Sequence, residues 1–145
     1  MIALLQRVTS ASVTVRDETV GRIGRGLLVL VAVHRDDGER DVRRLAERIL
    51  SYRVFPDEQG RMNRSVLDED GGLLLVPQFT LAADTRKGTR ASFTRAAAPD
   101  KGEAYFRELV ATCRESLAKV ETGRFGATMQ VALVNDGPVT FWLES

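Results

Sequence analysis

The sequence predicts an α+β fold, a mainly antiparallel β-sheet domain carrying two amphipathic helices. Three observations predict it. Near the start, Ser10, Ser12 and Thr14 alternate with Ala11, Val13 and Val15, the two-residue period of a strand with one buried face. The run "GLLVLVAV" (26–33) is apolar throughout, as in a strand covered on both sides. Two later segments then switch to the helical period.

In chain order, "ALLQRVTSASVTV" (3–15) is the first strand, and "RDE" turns tightly into "TVGRIG". The glycines of "GRIGRG" precede neither a helix nor a GK[ST] triplet, so they are turn or bulge glycines rather than a phosphate cradle. Asp36 or Asp37 caps a helix over about 38–52, with Val42, Leu45, Ala46, Ile49 and Leu50 on one stripe. "FPDEQGRMN" is a loop, and "GGLLLVPQFTLAAD" (71–84) is a further buried strand. Pro99 opens the second helix, where Phe106, Leu109, Val110, Cys113 and Leu117 share a face. Two or three strands close the chain. No repeat, low-complexity tract or linker divides residues 1–145, so one domain is expected.

Composition removes several chemistries. The chain has one His (His34) and one Cys (Cys113), with no CxxC, HxH or HExxH. A His/Cys zinc site is therefore not expected, and neither metal nor cofactor is assigned. His34 follows an apolar run and reads as a solvated strand-end residue, while Cys113 belongs to a helix's apolar face. No apolar run approaches the roughly 18 residues of a membrane-spanning helix. The opening "MIALLQRVTS" lacks the basic start and apolar core of a signal peptide, so a cytoplasmic place is expected.

Three stretches stand out. Pro77 lacks a ladder donor, so "LLLVPQFTL" reads either as an edge strand or bulge, or as a strand end presenting Gln78, Phe79 and Thr80. "NDGPVT" (135–140) is either the corner of a terminal hairpin or a rigid Gly-Pro kept for chemistry. Net charge is +1, but "DTRKGTRASFTR" (84–95) sets Arg86, Lys87, Arg90 and Arg95 against Asp84 alone. That stretch is either a solvated loop or a contact for a phosphate-bearing partner.

The segments "MIALLQRVTSASVTV", "GRMN", "QFTLAADT", "TGRFGA" and "MQVALVNDGPVTFWL" resemble those of the bacterial D-aminoacyl-tRNA deacylases, also called D-tyrosyl-tRNA deacylases. The resemblance runs essentially end to end. It includes the family's NxGPVT motif in full, at Asn135, Gly137, Pro138, Val139 and Thr140. It implies a compact α+β homodimer that hydrolyses the ester between a D-amino acid and the 3′ end of tRNA, without cofactor. It also implies a cis Gly137-Pro138 bond that enters the partner subunit's site. There its backbone carbonyls hold the α-amino group and its position rejects L side chains. Glycine would pass this filter, glycyl-tRNA mischarged on tRNA(Ala) included. Gln78, Phe79 and Thr80 would line the pocket for the terminal adenosine. Thr80 is the candidate nucleophile, set against assistance from the tRNA 2′-hydroxyl, and a chain without an evident base for Thr80 suits the second.

Pro77 departs from the family pattern, which has Ser there, so any role of that hydroxyl is absent. Beside these positions, Arg86, Lys87 and Arg90 suit acceptor-stem phosphates. The partners expected are an aminoacylated tRNA 3′ end and a second copy of the chain, with neither membrane nor DNA. The competing reading is a dimeric RNA-end binder in which Pro77 marks lost catalysis.

Overall fold

The computed structural model describes residues 1–145. Its elements are β1 (Ile2–Val15), β2 (Glu18–Ile23), β3 (Gly26–Ala32), α1 (Glu39–Ser51), β4 (Phe55–Pro56), β5 (Met62–Arg64), β6 (Gly72–Pro77), a 3-10 turn (Phe79–Ala82), α2 (Pro99–Arg114), β7 (Val120–Thr122) and β8 (Gln130–Glu144). The α+β class and both helices stand as expected. The sheet, however, is mixed: β1 pairs antiparallel with β2, β3 and β8, whereas β3–β6 and β6–β7 are parallel. The physical reason lies in the connections. α1 crosses from β3 to β6 and α2 from β6 to β7, and a helical crossover returns the chain in the same direction.

β1 is the spine. On one side it pairs first with β3 (Ile2 to Val8) and then with β2 (Ala11 to Val15). On its other side it pairs with β8 along nearly its whole length. The β1–β2 connection is a two-residue turn in which Arg16 and Asp17 take positive φ (50° and 64°), the mirror-image turn that matches strand twist. β2 continues in line with β3 and bends over β6 and β7. There a Cβ on Gly21 would lie 2.6 Å from the Thr122 carbonyl oxygen.

β3 and β6 are buried on both faces, as their unbroken apolar runs require. Where they start, the backbones meet so closely that a Cβ on Gly26 would sit 1.9 Å from the Gly72 carbonyl oxygen. The glycines of "GRIGRG" therefore include one that permits backbone contact. One face of the sheet packs against α1 and α2. Val42, Leu45, Ile49, Leu109 and Cys113 are fully buried there with Leu5, Leu27 and Leu75. A smaller apolar cluster (Val8, Val13, Leu28, Leu74, Val76) lies on the other face.

Several local expectations need correction. The cap of α1 is Gly38, not Asp36 or Asp37. Asp41 closes the first turn by accepting from the Gly38 N–H (2.9 Å), and Asp37 instead accepts from the Met1 α-ammonium (2.8 Å) and the His34 N–H (2.7 Å). "FPDEQGRMN" contains the small β4–β5 hairpin, closed by Asp57 accepting from the Gln59 and Arg61 N–H groups. The strand expected over 71–84 stops at Pro77, beyond which the chain winds into the 3-10 turn. His34 is half-buried rather than solvated, and burial lowers its pKa.

The contrast between two glycines tests this packing. Gly26→Ala should lower the unfolding free energy by about 3 kcal/mol or more, because backbone rather than a side chain must yield. Gly24→Ala, with nothing within 4 Å of its Cβ position, should stay within about 0.5 kcal/mol of wild type in urea denaturation.

Candidate active site

The conspicuous concavity is an apolar cleft of about 440 Å³ at the carboxyl end of β6. Val76, Pro77, Gln78 and Phe79 form one wall, with Phe106 of α2, Phe125 and Met129 around them. This is where ligands gather in sheets with parallel strands, beyond the carboxyl ends.

Pro77 fits here without cost to the ladder. β6 lies between β3 and β7, but β7 pairs it only as far as Leu75, so Pro77 stands where that side of the strand is locally an edge. Along β6, the Leu73 N–H points to the β7 side, where Lys119 O accepts it (2.8 Å), and the Gln78 N–H points to Val31 O of β3 (2.7 Å). By this alternation the nitrogen of Pro77 faces the β7 side, where β7 has already ended at Thr122. The β6–β7 ladder closes with the Gly123 N–H donating to Leu75 O (2.9 Å), one step before Pro77 would be called on to donate.

Past Pro77 the 3-10 turn presents Phe79 and Thr80 to solvent. The Thr80 hydroxyl is hydrogen-bonded to the Gln78 side-chain amide. No His, Asp, Glu or Lys side chain contacts that hydroxyl, so nothing is placed to take its proton. The first N–H groups of the turn, those of Phe79 and Thr80, have no partner in the chain, as the opening of any helical turn leaves them. His34, one strand away at the end of β3, makes no side-chain hydrogen bond, and its Nε2 is buried without a partner. Cys113 is in the core, where burial pushes its thiol up to about 12, so it stays protonated and inert at neutral pH.

The second element is "NDGPVT". It is not the corner of a hairpin, because β8 runs continuously from Gln130 to Glu144 through it. The pairing shows what happens instead. Gln6 faces Thr140 and Val8 faces Asn135, so residues 136–139 bulge out opposite Arg7 alone. Asn135 bridges the base of this bulge. Its Oδ1 accepts the Val139 N–H (2.7 Å), and its Nδ2 donates to Val139 O (3.2 Å) and Thr140 Oγ1 (3.0 Å).

Arg7 fills the gap on β1. It donates from Nε to Asp136 O (2.9 Å) and from Nη1 to Val54 O (2.7 Å), and it pairs with the Asp136 carboxylate at 3.5 Å. At the tip, Gly137 has φ 150°, and a Cβ there would lie 2.7 Å from the Val139 nitrogen, which restricts the position to glycine. The Gly137-Pro138 bond is cis, and both residues are exposed.

One chain does not bring the two elements together. The bulge lies opposite Arg7, which pairs with Leu27, whereas Pro77 pairs with Val31, four positions further along β3. With three strand spacings between β8 and β6 as well, the separation is roughly 20 Å. Of the residues singled out in the sequence, Pro77, Gln78 and Phe79 line the cleft, with Thr80 at its mouth. Asn135, Gly137 and Pro138 form the distant bulge. Arg7 was missed, since nothing local distinguishes one arginine in a strand.

In the basic loop, Arg86 is committed to Asp84 through two side-chain bonds (2.9 and 2.6 Å), which hold that carboxyl well below the usual carboxylate range. Lys87 and Arg90 are exposed and unpaired. Nowhere do three His, Cys, Asp or Glu side chains gather into a metal-ligating group. No helix is long and apolar enough to cross a membrane.

The brace predicts a mutational outcome. Arg7→Lys keeps the charge but cannot bond Asp136 and Val54 together. It should lower stability by about 1–3 kcal/mol in urea denaturation, whereas Arg86→Lys should change it by less than about 0.5 kcal/mol.

Comparison with known proteins agrees with this geometry. The family model described as D-Tyr-tRNA(Tyr) deacylase matches residues 4–144. A D-aminoacyl-tRNA deacylase of Alkalilimnicola ehrlichii is 68% identical over 145 residues, covering 100% of this chain and 97% of the relative. One of Pseudomonas aeruginosa is 62% identical and covers 100% of both. Among solved structures, a protein described as c-Myc DNA Unwinding Element Binding Protein superposes with a TM-score of 0.95 at 39% identity, covering 100% of this chain and 99% of that one. A probable eukaryotic D-amino acid tRNA deacylase shares the fold, with a TM-score of 0.88 at 20% identity over 99% and 98%. By this match over residues 4–144 and the full-length similarity to its relatives, the chain belongs to the D-Tyr-tRNA(Tyr) deacylase family, enzymes that hydrolyse D-aminoacyl-tRNA.

Proposed function

We propose that this deacylase checks chirality with backbone and catalyses without a side-chain nucleophile. The observation that carries the reading is the Gly137-Pro138 bulge, braced from both sides, exposed, and far from the cleft of its own chain. A loop held that rigidly and pointed outward suits a second subunit's cleft. In that arrangement the chain acts as one unit over residues 1–145 and works as a homodimer that exchanges the motif. The outer edge of β8 supports the same arrangement: it has no partner strand in the chain, and Leu133, Val134 and Trp142 are exposed on β8.

Within such a site the terminal adenosine enters the apolar cleft against Phe79 and Pro77, and the ester lies by Gln78 and Thr80. The carbonyls of the bulge accept hydrogen bonds from the substrate's α-ammonium. That fixes the remaining substituents, so an L side chain would meet backbone while a D side chain points away. Glycine passes the filter, which extends the substrates to glycyl-tRNA(Ala).

Water attacks the ester carbonyl carbon, and the developing oxyanion is stabilised by the free N–H groups of Phe79 and Thr80. The bond to the 3′-oxygen then breaks; the vicinal 2′-hydroxyl gives its proton to the leaving oxygen and takes one from the attacking water, so the amino acid leaves as its carboxylic acid and the 2′-hydroxyl is restored. Because the ester is already activated, positioning and two donors suffice. Pro77 in place of Ser removes a hydroxyl but none of these groups. The enzyme's place is the cytoplasm, where charged tRNA is used, and the unpaired Lys87 and Arg90 face acceptor-stem phosphates.

Purified protein without added metal should release D-tyrosine from D-tyrosyl-tRNA and leave L-tyrosyl-tRNA intact. Equal rates for the two would end the filter reading, and binding without cleavage would favour a non-catalytic RNA-end binder. Thr80→Ala should keep kcat within about tenfold of wild type, whereas loss of an essential nucleophile lowers it by a factor nearer a million.

A further inference from the structure

Phe79 and Phe93 are both conspicuously solvent-facing, 58% and 44% exposed, and their rings lie 5.2 Å apart at 51°. Phe79 lines the cleft; Phe93 does not, but its ring is in contact with that of Phe79. Exposed aromatic pairs are uncommon in a core-forming role, and this one is held still. The loop that carries Phe93 is closed by two backbone bonds between Asp84 and Ser92 (2.8 and 3.0 Å). Behind Phe93, Ala96 N–H donates to Phe93 O (3.1 Å), Arg35 N–H to Arg95 O (3.0 Å) and Ala97 N–H to Val33 O (2.9 Å).

The charge around the ring is one-sided. Asp84, the loop's acid, is consumed by Arg86, while Lys87, Arg90 and Arg95 make no ion pair. Arg35 and Lys101, close by, are already engaged. Arg35 donates to Thr94 O (3.1 Å), and Lys101 donates to Arg35 O (2.6 Å) beside the Tyr105 ring. An exposed aromatic ring on a loop that also carries three unpaired cations is an arrangement that can receive a single-stranded nucleotide, base on ring and phosphate toward the cations. The adjoining apolar cleft of about 440 Å³ favours a nucleotide strand over a protein or a lipid surface as the occupant.

We propose that Phe93 is a stacking platform for the nucleobase immediately 5′ of the terminal adenosine, so that substrate recognition extends at least one nucleotide beyond the cleft. The inference rests on the deacylase reading for the identity of the strand. It assigns Phe93 a binding role, separate from the chemistry at residues 78–80.

The test uses two non-hydrolysable probes, D-tyrosine joined by a 3′-amide to adenosine alone and to the trinucleotide CCA. Phe93→Ala should raise the Kd of the trinucleotide about 5- to 100-fold while leaving the nucleoside within about twofold. Phe93→Leu, which keeps apolar contact with Phe79, should behave like the alanine variant, and Phe93→Trp should bind the trinucleotide like wild type. An abasic nucleotide before the adenosine should weaken wild-type binding by the same factor and Phe93→Ala no further. Equal weakening of both probes would overturn the proposal by showing that Phe93 merely supports Phe79, and so would no weakening of either. Because these are binding measurements, they stay readable if ester-linked D-tyrosyl-tRNA is not cleaved at all, a result that would count against the deacylase reading alone.

Discussion

The pairing of β1 with β8 is the constraint on which the rest depends. β1 gives one edge to β8 and divides the other between β2 and β3, so the register of three strands is referred to one segment of 14 residues. A shift of one residue along it would turn Leu5 and Val8 away from their respective clusters. The parallel half of the sheet is registered through β3 in turn, by the close passage of Gly26 against Gly72. The end of β6, and with it the cleft, is thus positioned by contacts at the opposite end of the strand.

The bulge in β8 is a second consequence of the same pairing. Because β8 resumes its register at Thr140, the four residues set against Arg7 alone are expelled as a loop with both feet fixed. Asn135 ties those feet together, and Arg7 occupies the space that the extra residues vacate on β1. A loop joining two independent elements would be free to move; one inserted within a paired strand is restrained on both sides. The backbone groups of Gly137 and Pro138 are thereby held in a defined place on the surface.

The electrostatics divide the site into an uncharged cleft and a cationic loop beside it. The cleft is lined mainly by apolar side chains, and its nearest histidine is held below its usual pKa by burial. The unpaired cations lie outside it, on the loop after β6. In the proposed complex the phosphates lie outside the cleft, the adenosine within it and the ester at its mouth, by Gln78 and Thr80.

Much of this was legible in the sequence. The alternation of residues 10–15, the unbroken apolar runs of β3 and β6, and the stripe from Val42 to Leu50 each fixed an element, because such patterns depend on neighbours within a few positions. The motifs around Gln78 and Gly137 were left open by their residue types alone, and it was their resemblance to the deacylase motifs that marked them as halves of a candidate site. What only the tertiary structure decided depends on residues far apart in the chain. Parallel pairing of β3, β6 and β7 follows from two helical crossovers, and the harmless place of Pro77 from β7 stopping at Thr122. Most of all, "NDGPVT" read alone resembles a hairpin corner. It is a bulge because β1, about 130 residues earlier, continues past it and pairs with β8 on both sides. Local sequence specifies what a backbone can do at a glycine and a proline, whereas the strand lying opposite determines which of those things it does.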